Sequence, residues 1–190
     1  AIDPVRGITN SSSGKMGFAL AQAAAEAGAE VTVVAGPSAV ATPLSVTRID
    51  VTSAAQMAEA VLAHVDGSDV FIAVAAVADY TPDAPHAQKI KKSGAPLSLA
   101  LAPTVDILST VAARSAPPYC VGFAAESHDV ERQGEDKRKR KKVPLLVANR
   151  AQDALGSDTN QVTLLDAAGA HPLPRMDKLE LARRLVCEIA

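Results

Sequence analysis

The chain has 190 residues, a formal net charge of −2 and a pI near 6.1, and 48% of its residues are hydrophobic. That suffices for one domain with a sizeable core, while the lack of tryptophan and an aromatic content of 3% argue against a base-stacking platform or a basic nucleic-acid surface. No apolar run reaches the ~20 residues of a membrane span, and Cys120 and Cys187 have no metal or redox spacing, so small-molecule partners, a reducing cytoplasmic setting and two core thiols are expected.

The segment Arg6-Gly-Ile-Thr-Asn-Ser-Ser-Ser-Gly-Lys-Met-Gly17 runs into an apolar helical pattern over 15–27 that Gly28 can stop. Small residues and unpaired backbone N–H groups thus gather at a helix start, which suits an anion. A simple helix cap remains the alternative. The spacing is not that of a phosphate loop, because Met16 follows Gly14-Lys15 where Ser or Thr is wanted. The chain opens at Ala1-Ile2-Asp3-Pro4, so close to this turn that a strand feeding it is expected to be missing, and the 190 residues read as a single domain truncated at its amino end.

Further on, apolar runs predict strands over 31–35, 46–51, 70–77, 97–102, 119–124, 145–148 and 162–165. Helices are predicted over 53–65, 105–114, 127–142 and 177–189. The alternation predicts an α/β fold, Rossmann-like and doubly wound, with a mainly parallel sheet flanked by helices. The wholly apolar run from Val70 to Val77 suits a strand buried on both faces. Ligands in such sheets bind beyond the carboxyl ends of the strands, where Asp79 and Glu126 fall.

Several positions carry chemistry. Asp79 can accept hydrogen bonds from a ligand or cap a turn. The proline-bearing stretch 79–94 ends in Lys89, Lys91 and Lys92, which can balance a polyphosphate or stay solvated. Lys137 and Lys141, four apart in a basic block, share a helix face. Phe123 can pack on a nucleobase or into the core. The four histidines are scattered without zinc spacing, and Ser11, Ser12 and Ser13 lack a nucleophile-elbow setting.

Asp3-Pro-Val-Arg6, Asn10-Ser-Ser-Ser-Gly-Lys-Met-Gly17, Ala75-Ala-Val-Ala-Asp79, Lys89-Ile-Lys-Lys92, Val121-Gly-Phe-Ala-Ala-Glu126 and Val147-Ala-Asn149 occur here in one order. On these six motifs the chain resembles the phosphopantothenate-cysteine ligases, nearest to the bacterial CTP-dependent type that forms the carboxy-terminal half of the bifunctional coenzyme A biosynthesis flavoprotein. The resemblance implies that CTP activates the carboxylate of 4'-phosphopantothenate as an acyl-cytidylate, with pyrophosphate released, and that the amine of cysteine then displaces CMP. It implies Mg²⁺, a homodimer joined partly through residues 79–102, and a flavin-binding decarboxylase domain fused upstream in the full-length protein.

By the same resemblance Asn10 holds the acyl-cytidylate, Lys89 offsets developing charge, and Arg6 reaches the phosphopantothenate phosphate or the intermediate from a neighbouring subunit. Ala75 and Ala76 let substrate approach the backbone, and Asp79 contacts the ligand. Ser12, Gly14, Gly17, Asp79, Lys89, Phe123, Lys137, Lys141 and Asn149 match nucleotide-binding positions, as does the segment Thr104, Val105, Asp106 and Ile107. Departures are Gly7 for an aromatic residue, Thr9 for Ser, Val105 for the Pro of the Thr-Pro-Asp stretch, and Arg150 for Asp. Two other readings are an NAD(P)-dependent oxidoreductase, for which Tyr80 and Tyr119 lack a lysine four residues later, and a non-catalytic nucleotide-binding domain. No metal ligands can be named from the sequence.

Overall fold

The computed structural model describes residues 1–154 and 156–190. In chain order the elements are α1 (Lys15–Glu26), β1 (Val31–Ala35), β2 (Val46–Asp50), α2 (Ala54–His64), β3 (Val70–Ala73), β4 (Tyr80–Pro82), β5 (Leu101–Pro103), α3 (Ile107–Ala112), β6 (Tyr119–Glu126), α4 (Val130–Lys141), β7 (Leu145–Arg150), α5 (Ala151–Ala154), β8 (Thr159–Asn160), β9 (Val162–Leu165), β10 (Ala170–Pro172), β11 (Met176–Asp177) and α6 (Lys178–Ile189).

The larger sheet has the order β10-β9-β7-β6-β3, and its β3, β6 and β7 strands are parallel. β9 returns antiparallel to β7, and β10 antiparallel to β9. β1 and β2 form a separate parallel pair. The architecture is therefore the expected α/β arrangement with a mainly parallel sheet. Successive strand residues point to opposite faces. In β7, Leu146 and Ala148 join one cluster with Met57 and Val61 of α2, Leu108 and Val111 of α3 and Leu165 of β9. Leu145 and Val147 join the other, with Leu20 of α1, Leu181 and Leu185 of α6 and Leu164 of β9. Leu146, Leu181 and Leu185 are fully excluded from solvent, and burial of each side chain contributes roughly 1.5–3 kcal/mol.

Local signals place the helices. Ser53 and Gln56 make a reciprocal capping box at the start of α2, and the Asp177 carboxylate accepts the Leu179 N–H at the start of α6. Beyond α1, Gly28 takes φ 90°, a left-handed value that a side chain would resist.

The structure corrects several expectations. The run from Val70 makes a strand only to Ala73, and β3 is an edge strand of half-buried residues with Val70 exposed, so it is not enclosed on both faces. Its apolar continuation instead turns away as the loop carrying Ala75, Ala76 and Asp79. The stretch 79–94 is not wholly loop, because β4 pairs antiparallel with β5, itself shorter and later than the strand expected over 97–102. α4 begins only after Asp129, which is left-handed at φ 45°. Cys187 is exposed, whereas Cys120 is buried as expected and burial pushes its thiol pKa up.

β1 and β3 do not pair with each other, although Val34 of β1 and Phe71 and Ala73 of β3 pack on the same apolar cluster. Each therefore presents one strand edge without a ladder among the described residues.

Candidate active site

The carboxyl ends of the parallel strands gather the motifs. β3 runs alongside β6 with Ala73 opposite Gly122, and β6 alongside β7 with Ala125 opposite Asn149 and Glu126 opposite Arg150. The loop after β3, the end of β6 and the end of β7 thus lie at one end of the sheet, where α/β folds bind ligands.

The loop after β3 collects two other segments. The Asn10 amide donates from Nδ2 to the carbonyls of Ala76 and Val77, both at 3.2 Å. The Thr104 hydroxyl donates to the Ala78 carbonyl at 2.7 Å, and the Thr104 N–H to the Asp79 carbonyl at 2.9 Å. Ala75, Ala76 and Asp79 are exposed. Asn10, Ala75, Ala76, Asp79 and Thr104 are therefore neighbours, as a shared pocket requires.

α1 starts beside this loop, since a Cβ on Gly17 would lie 3.9 Å from the Val74 Cβ. Its N-cap is Gly14, left-handed at φ 79°, and no side chain caps the helix. The Lys15 N–H is held at 3.4 Å by the Ser13 hydroxyl, and the Met16 and Gly17 amides of this twelve-residue helix are open to an anion, reinforced by the dipole. Ser38, from the loop after β1, braces the turn by donating its hydroxyl to the Ser13 carbonyl at 2.9 Å. A Cβ on Gly14 would come within 2.9 Å of that hydroxyl. Ser12 is exposed on the turn.

Two lysines of α4 arrive from the other side, each held by a carboxylate. The Lys141 Nζ lies 2.6 Å from the Asp106 Oδ2, and the Lys137 Nζ lies 3.9 Å from the Glu126 Oε1. Asp106 caps α3 through the Ser109 N–H. Burial opposes its ionisation, but Lys141 and Ser109 outweigh that and hold its carboxyl below the usual range. In the segment 104–107, Val105 is exposed, whereas the Ile107 side chain belongs to the core, so only its backbone can meet a ligand. Phe123 packs on the second apolar cluster and stays partly accessible. Asn149 is buried, and its Nδ2 donates to the Asn160 Oδ1 at 3.3 Å.

Arg6 and Lys89 lie on segments bound to each other. The Arg6 Nε donates to the buried Asp3 Oδ2 at 3.0 Å and its Nη2 to the Ile90 carbonyl at 2.9 Å. The Arg6 side chain is 46% exposed, and its Nη1 makes no hydrogen bond among the described residues. Lys89 is exposed, with no ion pair among the described residues.

Supporting residues that the sequence did not single out are Asp3, Ser38, Asp158, Asn160 and Lys178. Lys15 pairs with Asp158 at 2.5 Å. The buried Lys178 donates to the neighbouring Ser157 carbonyl, and desolvation pushes its pKa down. Only Asp3 carried a readable signal, a carboxylate three residues before an arginine; the others are brought in by the chain's return through β8 and β11 or by the loop after β1.

Comparison with known proteins agrees with this arrangement. The family model described as the DNA/pantothenate metabolism flavoprotein C-terminal domain matches residues 1–190. The chain is 47% identical over 188 residues to the coenzyme A biosynthesis bifunctional protein CoaBC of Vibrio cholerae, covering 96% of this chain and 47% of that one. It is 44% identical over 195 residues to CoaBC of Bacillus subtilis, covering 100% and 48%. The chain thus spans about half the length of these curated relatives. A crystal structure of the C-terminal domain of CoaBC superposes with a TM-score of 0.83 at 40% identity, covering 99% of this chain and 87% of that one. The resemblance carried by the six motifs is borne out: the chain belongs to the family of DNA/pantothenate metabolism flavoprotein C-terminal domains, which includes the carboxy-terminal half of CoaBC.

Proposed function

We propose that the chain is a phosphopantothenate-cysteine ligase that activates 4'-phosphopantothenate with CTP, forms an acyl-cytidylate and transfers the acyl group to cysteine. The observation that carries this reading is the convergence of the Asn10 amide, the uncapped start of α1 and the α4 lysines at the carboxyl end of one sheet, in a chain whose relatives serve coenzyme A biosynthesis.

Placing a carboxylate against a triphosphate concentrates negative charge, and fixed donors must offset it. In this reading the first-turn amides of α1 and Lys137 and Lys141 hold the triphosphate, with Ser12, Gly14 and Gly17 shaping the turn. Phe123, Asn149 and the segment 104–107 bound the nucleotide. Asn10 and Asp79 hold the acyl-cytidylate over Ala75 and Ala76, where the lack of bulk admits it. Lys89 supplies positive charge to the pentacoordinate phosphorus, and the open donors of Arg6 suit the pantothenate phosphate. Among the described residues no group of three or more His, Cys, Asp or Glu could hold a metal ion. In this reading Mg²⁺ enters on the phosphate oxygens of CTP, as part of the substrate.

The chain acts as a homodimer in this proposal. Tyr80, Leu97, Leu99 and Leu101 are exposed along the β4-β5 arm, and an apolar stripe of that kind suits a second copy. Among the described residues no helix is long and apolar enough to cross a membrane, and a cytoplasmic enzyme with small-molecule substrates is proposed. We infer further that a strand from sequence outside residues 1–190 pairs with the open edges of β1 and β3 and completes the nucleotide pocket. Lengthening the chain at its amino end should then tighten CTP binding, and equal affinity would sink that idea.

The ligase reading is tested by supplying CTP, Mg²⁺, 4'-phosphopantothenate and cysteine and following 4'-phosphopantothenoylcysteine by mass. Product that requires all three organic substrates is expected. Protection against heating by nicotinamide cofactors and not by CTP would favour the oxidoreductase instead.

A further inference from the structure

Asp3 is a carboxylate whose side chain is 0% exposed, and five N–H donors converge on it. Its Oδ1 accepts the backbone N–H groups of Val5 and Arg6, both at 2.9 Å. Its Oδ2 accepts Nε and Nη2 of Arg6 and the Ile90 N–H at 3.1 Å. The same Arg6 guanidinium donates to the Ile90 carbonyl, so both polar backbone groups of Ile90 are held by this pair. The Ile2 carbonyl also accepts the His86 N–H at 2.9 Å, docking the first residues along the stretch 86–90.

A buried carboxylate is tolerated only when it is paired and its remaining lone pairs are satisfied. Here every partner belongs either to the turn carrying Arg6 or to Ile90, the neighbour of Lys89. The chain therefore places one ionised group where it fixes two segments that are far apart in sequence. Those segments carry the two exposed cations of the proposed acylation step. Arg6 contributes the fork and Ile90 the backbone; Asp3 orients both without reaching solvent or substrate.

We propose that Asp3 is a positioning residue, which sets the Arg6 guanidinium and the Lys89 ammonium in register for acyl-cytidylate formation while taking no part in nucleotide binding. This rests on the ligase reading above. A neutral amide of the same size at position 3 turns an N–H group toward donors that need an acceptor. The Ile90 contact then loosens and Lys89 samples many positions.

The test compares Asp3→Asn and Asp3→Glu with the unaltered chain in three measurements: hydrogen–deuterium exchange across 86–92, CTP affinity by calorimetry, and the single-turnover rate of pyrophosphate release. For Asp3→Asn the expected result is faster exchange at Ile90 and pyrophosphate release slowed by about tenfold or more, with CTP affinity little changed. Asp3→Glu, which restores the charge, recovers part of the rate and of the protection. An unchanged rate with Asp3→Asn overturns the proposal, as does a parallel loss of rate, CTP affinity and melting temperature. If Asp3→Asn does not fold, Ile90→Pro, which removes the N–H donated to Asp3 and leaves Arg6 in place, decides instead, and unaltered exchange across 86–92 with an unaltered rate there overturns the proposal. An unaltered chain that releases no pyrophosphate contradicts the ligase reading alone; the exchange at Ile90 then judges the tie, and no change with Asp3→Asn refutes it.

Discussion

The buried Asn149 side chain, at the carboxyl end of β7, donates its amide to Asn160 of β8 at 3.3 Å, and the same Asn160 oxygen accepts the Gln161 N–H at 2.9 Å. One oxygen thus fixes the orientation of an amide that the proposal sets against the nucleotide. Asn160→Ala leaves the Asn149 donor buried and unpaired, at a cost of about 1–3 kcal/mol. Chemical denaturation should show that loss, and calorimetry a weaker CTP affinity; a variant as stable as the parent would mean that the pair contributes nothing.

Lys141 should matter for the triphosphate beyond its pairing with Asp106. Lys141→Gln removes a cation and leaves the Asp106 carboxylate unopposed at the same place, so CTP affinity should fall by about tenfold or more. Asp106→Asn keeps the lysine and should weaken CTP much less, and equal losses in the two variants would contradict a direct role for Lys141.

Acid should loosen the contact between α1 and α6. Arg183 of α6, joined by Gln22, holds the Glu26 carboxyl down at about 2, against an ordinary value of 4.5. A carboxylate depressed in the folded state stabilises the fold above its unfolded pKa, and that contribution disappears as pH falls through the folded value. The parent should therefore melt higher than Glu26→Gln near neutral pH, with the difference shrinking as pH falls from about 4.5 towards about 2. A difference independent of pH across that window would show that Arg183 does not act through the charge.

Gly134 of α4 is buried, and a Cβ there would meet the Leu165 Cδ1 at 2.4 Å and the Ala148 Cβ at 3.1 Å. Helix propensity favours alanine at such a site, but both neighbours are in the closed core. Gly134→Ala should cost about 1–3 kcal/mol by overpacking. Denaturant titration checks the sign, and stabilisation would show that the helix can move outward.

The helices and the principal strands were legible because caps and periodicity act locally. Gly28, Ser53 and Asp177 mark ends, and the 3.6-residue and two-residue patterns mark faces. The shortfall of β3 was not legible, since an apolar run does not reveal whether a neighbouring strand will pair with its edge. Pairing also placed β4 against β5, across a gap in sequence that no local pattern spans. The site behaves the same way. Its motifs could be named, and the chain's resemblance gave them roles, but the ties that hold them join distant residues: Asn10 to Val77, Lys141 to Asp106, Arg6 to Ile90. Asn160 was invisible because a single asparagine at the end of a two-residue strand carries no sign of the partner it will meet.

The central claim is that this site joins a carboxylate to CTP before cysteine takes part. Its most direct test is mass spectrometry of a reaction holding the chain, Mg²⁺, CTP and 4'-phosphopantothenate, with cysteine withheld. The account predicts an acyl-cytidylate with one pyrophosphate released for each, consumed when cysteine is added, and abolished by Asn10→Ala. Absence of that intermediate while CTP binds and the complete mixture still yields ligated product would contradict it.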